Sequence, residues 1–349
     1  MRSLPTLSAV LLALAVAACG GGEPEGGAQQ GGAPAAEPAF RAALLTSGPV
    51  SDAGWYAGAY EGLLMLRDSL GAEVSHQQTR TPAEFDEAFV SYASAGYDLI
   101  FAHGFEYQDA ALRAGERFPG VTIVVSGGGK VAPNVVPLIF TLEEGSYLAG
   151  MVAAGMSSSG VLGMVGGVAI PPVQGTFLAF EAGARAVNPD ARILESFIGN
   201  WDDVGAAKEA AVAQLRQGAD VLIHNTDAAS FGVFQAVREA VEGGKQAWAL
   251  GMNRDQADVA PDVILGSAVI HIPQAFLETA RAWQAGTLGG KPLYASAGDG
   301  VIDFILNPAL ADRIPAELLQ RMEEARTRIR AGELRVPRVP FVEGEPGVS

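Results

Sequence analysis

Aromatic side chains stand beside carboxylates and amides in several short turns of the sequence. Trp55 and Tyr56 closely follow Asp52. Trp201 is flanked by an asparagine and an aspartate. Aromatic rings stack on the faces of a planar ligand, whereas carboxylates and amides bond to its polar edge. These turns therefore predict a binding site for a flat ligand with polar edges.

Further residues of the same types occur in turns that follow predicted strands. In open parallel α/β sheets, ligands bind outside the carboxyl ends of the strands, so these turns are the expected place for a site. The additional candidates are Phe105, Asn225, Asp227, Asn253 and Asp255.

Each candidate also has a structural role open to it. Trp55 could cover a helix start within the core, and Asp52 could cap that helix, as aspartate does before an amphipathic run. His103 and His224, at the ends of predicted strands, fit structural histidines better than ligands. The three glycines at 127–129 could cradle an anion, but no Gly-Lys-Ser/Thr ending follows them, which favours a turn.

Motifs for catalysis are missing from the sequence. It contains no G-x-S-x-G, no H-E-x-x-H and no dinucleotide-binding glycine pattern. Its 4 histidines show no metal-ligand spacing. The sequence therefore predicts a binding protein with no catalytic residue, no metal site and no cofactor.

The elements that position these turns alternate regularly between strand and helix. Predicted strands cover 42–46, 98–102, 121–125, 161–165, 193–197, 220–224, 247–251 and 263–267. Predicted helices cover 57–70, 82–95, 108–117, 143–156, 173–187, 203–217, 230–242 and 273–286. This alternation is typical of a parallel sheet covered by helices on both faces.

The folded part of the chain is long enough for two lobes. About 300 residues exceed the usual single core, and the helix–strand pattern of 81–103 returns in 202–224. We predict a first lobe at 40–142 with about 269–298, and a second at 143–268 with about 299–312. A C-terminal helix and tail would occupy 313–349.

The N-terminus predicts export. Arg2 precedes an apolar run over 4–18, which ends on Ala-Ala before Cys19. The run is shorter than the roughly 20 residues of a membrane-spanning helix and fits a signal peptide over 1–18. The sequence ahead of Cys19 looks like a bacterial lipoprotein signal, with an ordinary signal peptide as the alternative. We therefore expect a lipid anchor on Cys19 in the cell envelope, on the extracytoplasmic side (periplasm or cell surface).

The composition of the chain is consistent with this predicted location. Residues 19–39 are rich in Gly, Pro, Glu, Gln and Ala and predict a disordered tether that spans roughly 25 Å. The net charge of −16 disfavours nucleic acid as a partner, because phosphates would repel it.

The motifs together resemble a known family. They cover 48–55, 144–150, 180–189, 218–222 and 251–256. Over about 40–310 the chain resembles the basic membrane protein (Bmp) family, lipoproteins that serve as substrate-binding components of bacterial ABC transporters for purine nucleosides and related compounds.

The resemblance implies an α/β fold of the type I periplasmic-binding kind, with two Rossmann-like parallel-sheet lobes joined by three crossovers. A purine base or nucleoside would be trapped between the closing lobes, and an ABC permease and ATPase would be partners of a monomer. Trp55 would stack from the first lobe and Trp201 from the second. The implied polar contacts are Asp52, Asn225, Asp227 and Asp255.

The chain departs from the family pattern at three places. Asn253 replaces an aspartate, Ile270 replaces a lysine, and Trp55-Tyr56 replaces Phe-Asn. The first two departures leave ribose recognition open. The third resembles a branch associated with free purine bases such as adenine. Alternatives are a ligand sensor of the same fold, a binding protein for a sugar or other small polar ligand, and an exported nucleoside hydrolase.

Overall fold

A computed structural model describes residues 40–52 and 54–345. These residues form nine α-helices and twelve β-strands. The helices are α1 (Trp55–Leu70), α2 (Pro82–Ser94), α3 (Gln108–Arg117), α4 (Glu143–Met156), α5 (Pro171–Val187), α6 (Val204–Arg216), α7 (Ser230–Glu242), α8 (Ile272–Gln284) and α9 (Ala316–Arg330). The predicted signal peptide, Cys19 and the tether over 19–39 lie outside the described residues.

The strands form two six-stranded sheets. They are β1 (Arg41–Thr46), β2 (Glu73–Gln78), β3 (Leu99–His103), β4 (Thr122–Ser126), β5 (Val135–Phe140), β6 (Val161–Gly166), β7 (Arg192–Phe197), β8 (Val221–Asn225), β9 (Trp248–Asn253), β10 (Ile264–Ile270), β11 (Leu293–Ala295) and β12 (Ile302–Leu306). The first sheet has the order β11-β5-β4-β3-β1-β2 and the second β12-β10-β9-β8-β6-β7. Every pairing is parallel except that of β10 with β12.

The two lobes repeat one another. Strands β3 and β8 occupy the same place in their sheets, beside β1 and β6 respectively. Helices α2 and α6 precede them, so the similar segments 81–103 and 202–224 are equivalent parts of the two lobes. The repeat in the sequence therefore reflects a repeat in the fold.

The chain passes between the sheets three times. It leaves the first sheet after β5, returns from β10 to β11, and crosses back from β11 to β12. Helix α8 packs on α1 of the first lobe, where Ile272 and Phe276 lie against Gly58 and Gly62. The predicted fold class is confirmed, whereas the predicted residue limits of the lobes stay a prediction.

Helices cover both faces of each sheet. Strands β3, β5, β8, β9 and β10 are buried along their whole length, as expected for parallel strands between two helical layers. Helices α4 and α5 come so close that a Cβ on Gly150 would overlap the Phe180 carbonyl oxygen. One on Gly183 would overlap the Tyr147 carbonyl oxygen. These two helices therefore pack backbone to backbone.

Details of the elements differ from the prediction. Strands β2, β5, β11 and β12 are additional to the eight predicted. The start of α6 is also different. The predicted helix over 203–217 begins one residue too early, because Asp203 caps α6 and accepts a hydrogen bond of 2.9 Å from the Ala206 N–H.

Candidate functional site

The turn after β1 is organised by Asp52. This side chain is 1% exposed and accepts hydrogen bonds from the N–H groups of Gly54 (3.1 Å), Tyr56 (2.9 Å) and Ala57 (2.9 Å). Burial raises the pKa of Asp52 above its ordinary value, and the backbone donors partly offset that rise. Its contacts support the capping role that the sequence left open beside ligand binding.

Trp55, the first residue of α1, rests on a buried histidine. Its ring stacks on His103 with centroids 3.8 Å apart, and the edge of Phe140 meets it at 5.7 Å. Burial lowers the pKa of His103 to about 3, so the imidazole is neutral at physiological pH, and its Nε2 lies 3.1 Å from the Trp55 carbonyl oxygen. His103 therefore holds the half-buried tryptophan in place.

Three polar candidates of the second lobe come together at the ends of β8 and β9. The Asn253 amide donates to the Asp227 carboxylate over 3.2 Å, and Asn225 donates to the Thr176 hydroxyl over 3.2 Å. Asp227 and Asn253 have positive φ angles of 47° and 70°. Strained backbone of this kind is concentrated at functional sites.

Trp201 lies in the turn after β7, and its ring covers the backbone of Gly167. Its carbonyl oxygen accepts a hydrogen bond of 3.0 Å from the Ala229 N–H, beside Asp227. The two turns of the second lobe are therefore fixed to one another.

Glu106 is a site residue that the sequence analysis did not single out. It follows Phe105 in a predicted ligand turn, and this was the available signal. Ser47 donates to its carboxylate and lies 2.7 Å from the Tyr56 hydroxyl. More than a third of Glu106 is exposed, but the cleft walls around its carboxylate exclude enough water to raise its pKa.

One pocket gathers most of these residues between the lobes. It encloses about 670 Å³, counting the part open to solvent. Seven of the nine predicted residues line it: Trp55, Tyr56, Phe105, Trp201, Asn225, Asp227 and Asn253. Asp52 and Asp255 do not; Asp255 is exposed and accepts a hydrogen bond of 3.1 Å from the Ala257 N–H.

The pocket is acidic as well as aromatic. Glu106 lines it from the first lobe and Asp227 from the second, and the described residues that line it include no lysine, arginine or histidine. Burial raises the pKa of Asp227 well above its ordinary value, and the nearby Asp52 and Glu106 carboxylates raise it further. A ligand that brings N–H donors or positive charge would relieve this cost, whereas a phosphate would add to it.

An outer cleft adjoins the pocket. Tyr56, Phe105, Glu106, Ile170 and Trp201 border both spaces. Outside the pocket, Arg254 of the second lobe pairs with Glu61 of α1 over 2.8 Å. The lobes are therefore in contact around the pocket.

Residues 40–52 and 54–345 contain no group of three or more His, Cys, Asp or Glu side chains suited to a metal ion. The same residues include no helix that is long and apolar enough to cross a bilayer.

Two like α/β lobes with an aromatic, acidic pocket between them define a solute-binding protein. Over residues 39–337 the sequence matches the family described as ABC transporter substrate-binding protein, PnrA-like (Bmp). The chain belongs to this family, which confirms the resemblance noted from its motifs. The family comprises extracytoplasmic binding proteins, not enzymes, that take up a small ligand and work with the permease and ATPase of an ABC transporter.

Relatives share most of the chain. A purine-binding protein of Brucella abortus is 29% identical over 87% of this chain and 85% of its own length. Basic membrane protein A2 of Borrelia garinii is 26% identical over 85% of this chain and 88% of its own length. A solved ABC transporter solute-binding protein from Conexibacter woesei has a TM-score of 0.70 and 28% identity, and covers 87% of this chain and 100% of its own.

Proposed function

We propose that this protein binds a purine base or purine nucleoside between its lobes and delivers it to an ABC importer. The observation that carries the proposal is that Trp55 and Trp201 enter one pocket from opposite lobes. Two indole rings so placed suit a flat heteroaromatic ligand, because each can cover one of its faces.

The polar groups of the pocket favour a ligand rich in N–H donors. Glu106 and Asp227 are acceptors when ionised, and the Asn225 amide nitrogen is already bonded to Thr176. Ring N–H and exocyclic amino groups of a purine would satisfy such acceptors. The lack of a basic group among the described lining residues disfavours nucleotides. The name of the Brucella relative is consistent with this substrate class.

A thermal-shift screen of the full-length protein tests the substrate class. The ligands are adenine, guanine, hypoxanthine, their nucleosides, AMP, glucose and galactose. A ligand at 100 times its dissociation constant adds about 2.7 kcal/mol to the free energy of unfolding. We expect stabilisation by a purine base or nucleoside and none by AMP. A clear shift with a sugar alone would replace the purine assignment.

We also propose that Cys19 carries a lipid and that the monomer is tethered by residues 19–39. The support is the Ala-Ala-Cys ending of the apolar N-terminal run. Expression in a bacterium, followed by detergent-phase partition and mass measurement of the N-terminal peptide, tests this. A Cys19→Ser variant is the control, and an unmodified Cys19 would contradict the anchor.

Purine-dependent transport separates import from sensing. Uptake of labelled adenine by cells that express the protein with an ABC permease and ATPase should require all three components. Binding without uptake, together with a transcriptional response, would favour the sensor.

A further inference from the structure

The pocket contains an aromatic residue from a part of the chain that the sequence analysis assigned to a tail. Phe341 lines the pocket, with its ring centroid 6.3 Å from that of Phe105. It lies beyond residue 337, where the family match ends. Among the described lining residues it alone follows α9.

The segment that carries Phe341 runs from the second lobe to the first. Helix α9 is bound to the second lobe, where Arg330 pairs with Asp303 of β12 over 3.0 Å and Arg321 donates to the Ala186 carbonyl oxygen over 2.8 Å. Residues 331–345 then reach the first sheet. We name residues 331–345 the C-terminal strap. It is a fourth connection between the lobes.

The strap is anchored on the first lobe at two places. Glu345 accepts hydrogen bonds from Tyr294 of β11 and from Arg338, whose guanidinium lies 5.3 Å from the Tyr294 ring. At the other place, the Glu343 N–H donates to the Gly129 carbonyl oxygen over 2.8 Å. Val342, which follows Phe341, is 1% exposed. Phe341 is therefore held at the pocket by both backbone and side-chain bonds.

The strap accounts for Gly129, one of the three glycines at 127–129 that the sequence assigned to a turn. A Cβ on Gly129 would overlap the Phe341 carbonyl oxygen. The Gly129 N–H is fixed by Gln108 over 3.2 Å, so the turn has little freedom to move away. The turn after β4 is thus a seat shaped for the strap.

Phe341 lines the pocket but not the outer cleft. Its ring approaches that of Phe105, which borders both spaces. Gly127 of the seat also lines the pocket. Phe341 therefore forms part of the pocket wall beside Phe105.

We propose that Phe341 is a ligand-contacting residue that closes one wall of the pocket and that Gly129, in the turn after β4, seats it. The proposal rests on the proposed function in one respect, that the ligand occupies this pocket. It adds a third aromatic wall, supplied by the strap, to the two tryptophans.

Adenine titrations of full-length wild type, Phe341→Ala, Phe341→Tyr and Gly129→Ala test the proposal. We expect Phe341→Ala to raise the dissociation constant at least about fivefold, the size of one aromatic contact. Gly129→Ala should have a similar effect without altering the pocket lining, and Phe341→Tyr should retain most of the affinity. Phe231→Ala is the matched control, because Phe231 is 38% exposed on α7 and outside the pocket.

A measurement without ligand keeps the two proposals distinguishable. Acrylamide should quench tryptophan fluorescence more strongly in Phe341→Ala and Gly129→Ala than in wild type or Phe231→Ala, because Trp55 and Trp201 line the uncovered pocket. If no purine binds wild type, the purine assignment fails. The titration is then repeated with whichever screened compound binds. If no screened compound binds, the quenching measurement alone tests the role of Phe341. Unchanged ligand affinity in Phe341→Ala, or unchanged quenching where no ligand binds, overturns the role of Phe341.

Discussion

The Asn253 side chain donates a hydrogen bond of 3.2 Å to Asp227 across the ends of two neighbouring strands, and both residues have left-handed backbone. Each conformation is unfavourable for a residue with a side chain, and asparagine and aspartate tolerate it best. The pair thus combines a strained backbone with a polar group directed at the pocket.

Substitutions at Asn253 should separate stability from binding. Asn253→Gly fits the positive φ and should keep the free energy of unfolding near that of wild type, while it weakens purine binding by leaving Asp227 without its donor. Asn253→Val should lower the free energy of unfolding by about 1–3 kcal/mol, because a β-branched residue is strained there. Chemical denaturation and adenine titration measure the two effects. Equal affinity in wild type and Asn253→Gly would show that the pair has no part in binding.

Removal of either tryptophan should weaken ligand binding without unfolding the protein. Both rings are only partly buried, so Trp55→Ala and Trp201→Ala should each raise the purine dissociation constant about tenfold, through the loss of about 1.4 kcal/mol of stacking and apolar contact. Calorimetric titration measures this. Phe231→Ala again provides an exposed aromatic control. Wild-type affinity in both tryptophan variants would contradict the sandwich.

Glu143 should make stability depend on pH near neutrality. It is 7% exposed at the first residue of α4, and burial raises its pKa from 4.5 to about 7. Between these two pH values the folded state binds more protons than the unfolded state. The stability that protonated Glu143 contributes is therefore lost as pH rises through 7.

The variant Glu143→Gln isolates this effect. It should gain stability relative to wild type as pH increases from about 4.5 to 8, by up to about 3 kcal/mol. Urea denaturation of both proteins across this range measures the difference. A difference that does not change with pH would show that Glu143 keeps an ordinary pKa.

The Arg254–Glu61 pair should have a small effect on affinity. It joins the lobes, but both side chains are more than 40% exposed, and such pairs contribute about 0–1 kcal/mol. Arg254→Ala should therefore raise the purine dissociation constant no more than about fivefold, and less at high salt. Lys208→Ala is the control, because Lys208 pairs with Glu239 within the second lobe. A tenfold or larger loss would assign Arg254 a direct role.

The sequence predicted the buried repeating framework better than its edges. The central strands are apolar runs between amphipathic helices, and this pattern survives in the fold. Strand β2 was missed because it is a polar edge strand, and β11 because it has three residues. Strand β5 was missed because Pro137 has no N–H to donate within a sheet. The proline is tolerated because the short strand β11 pairs only with residues 138–140.

The site was predictable where residue type and strand end coincide. Asn225 ends a buried strand, Trp55 and Asp227 lie in or after the turns that follow buried strands, and all three line the pocket. Residue type and position could not decide whether Asp52 contacts the ligand or caps a helix. In the structure its carboxylate accepts hydrogen bonds from the backbone of α1. Phe341 was beyond such rules, because only the tertiary path of the strap brings it to the first lobe.

The close packing of α4 on α5 explains why the motifs that assign the chain to a family do not identify its ligand. Gly150 and Gly183, in two of the most specific motifs, face the partner helix backbone and are not among the pocket-lining residues. These motifs therefore report how the second lobe is assembled. We expect ligand preference to depend on other positions, at the strand ends and in the strap. Exchange of those positions between family members should transfer specificity without rebuilding the scaffold.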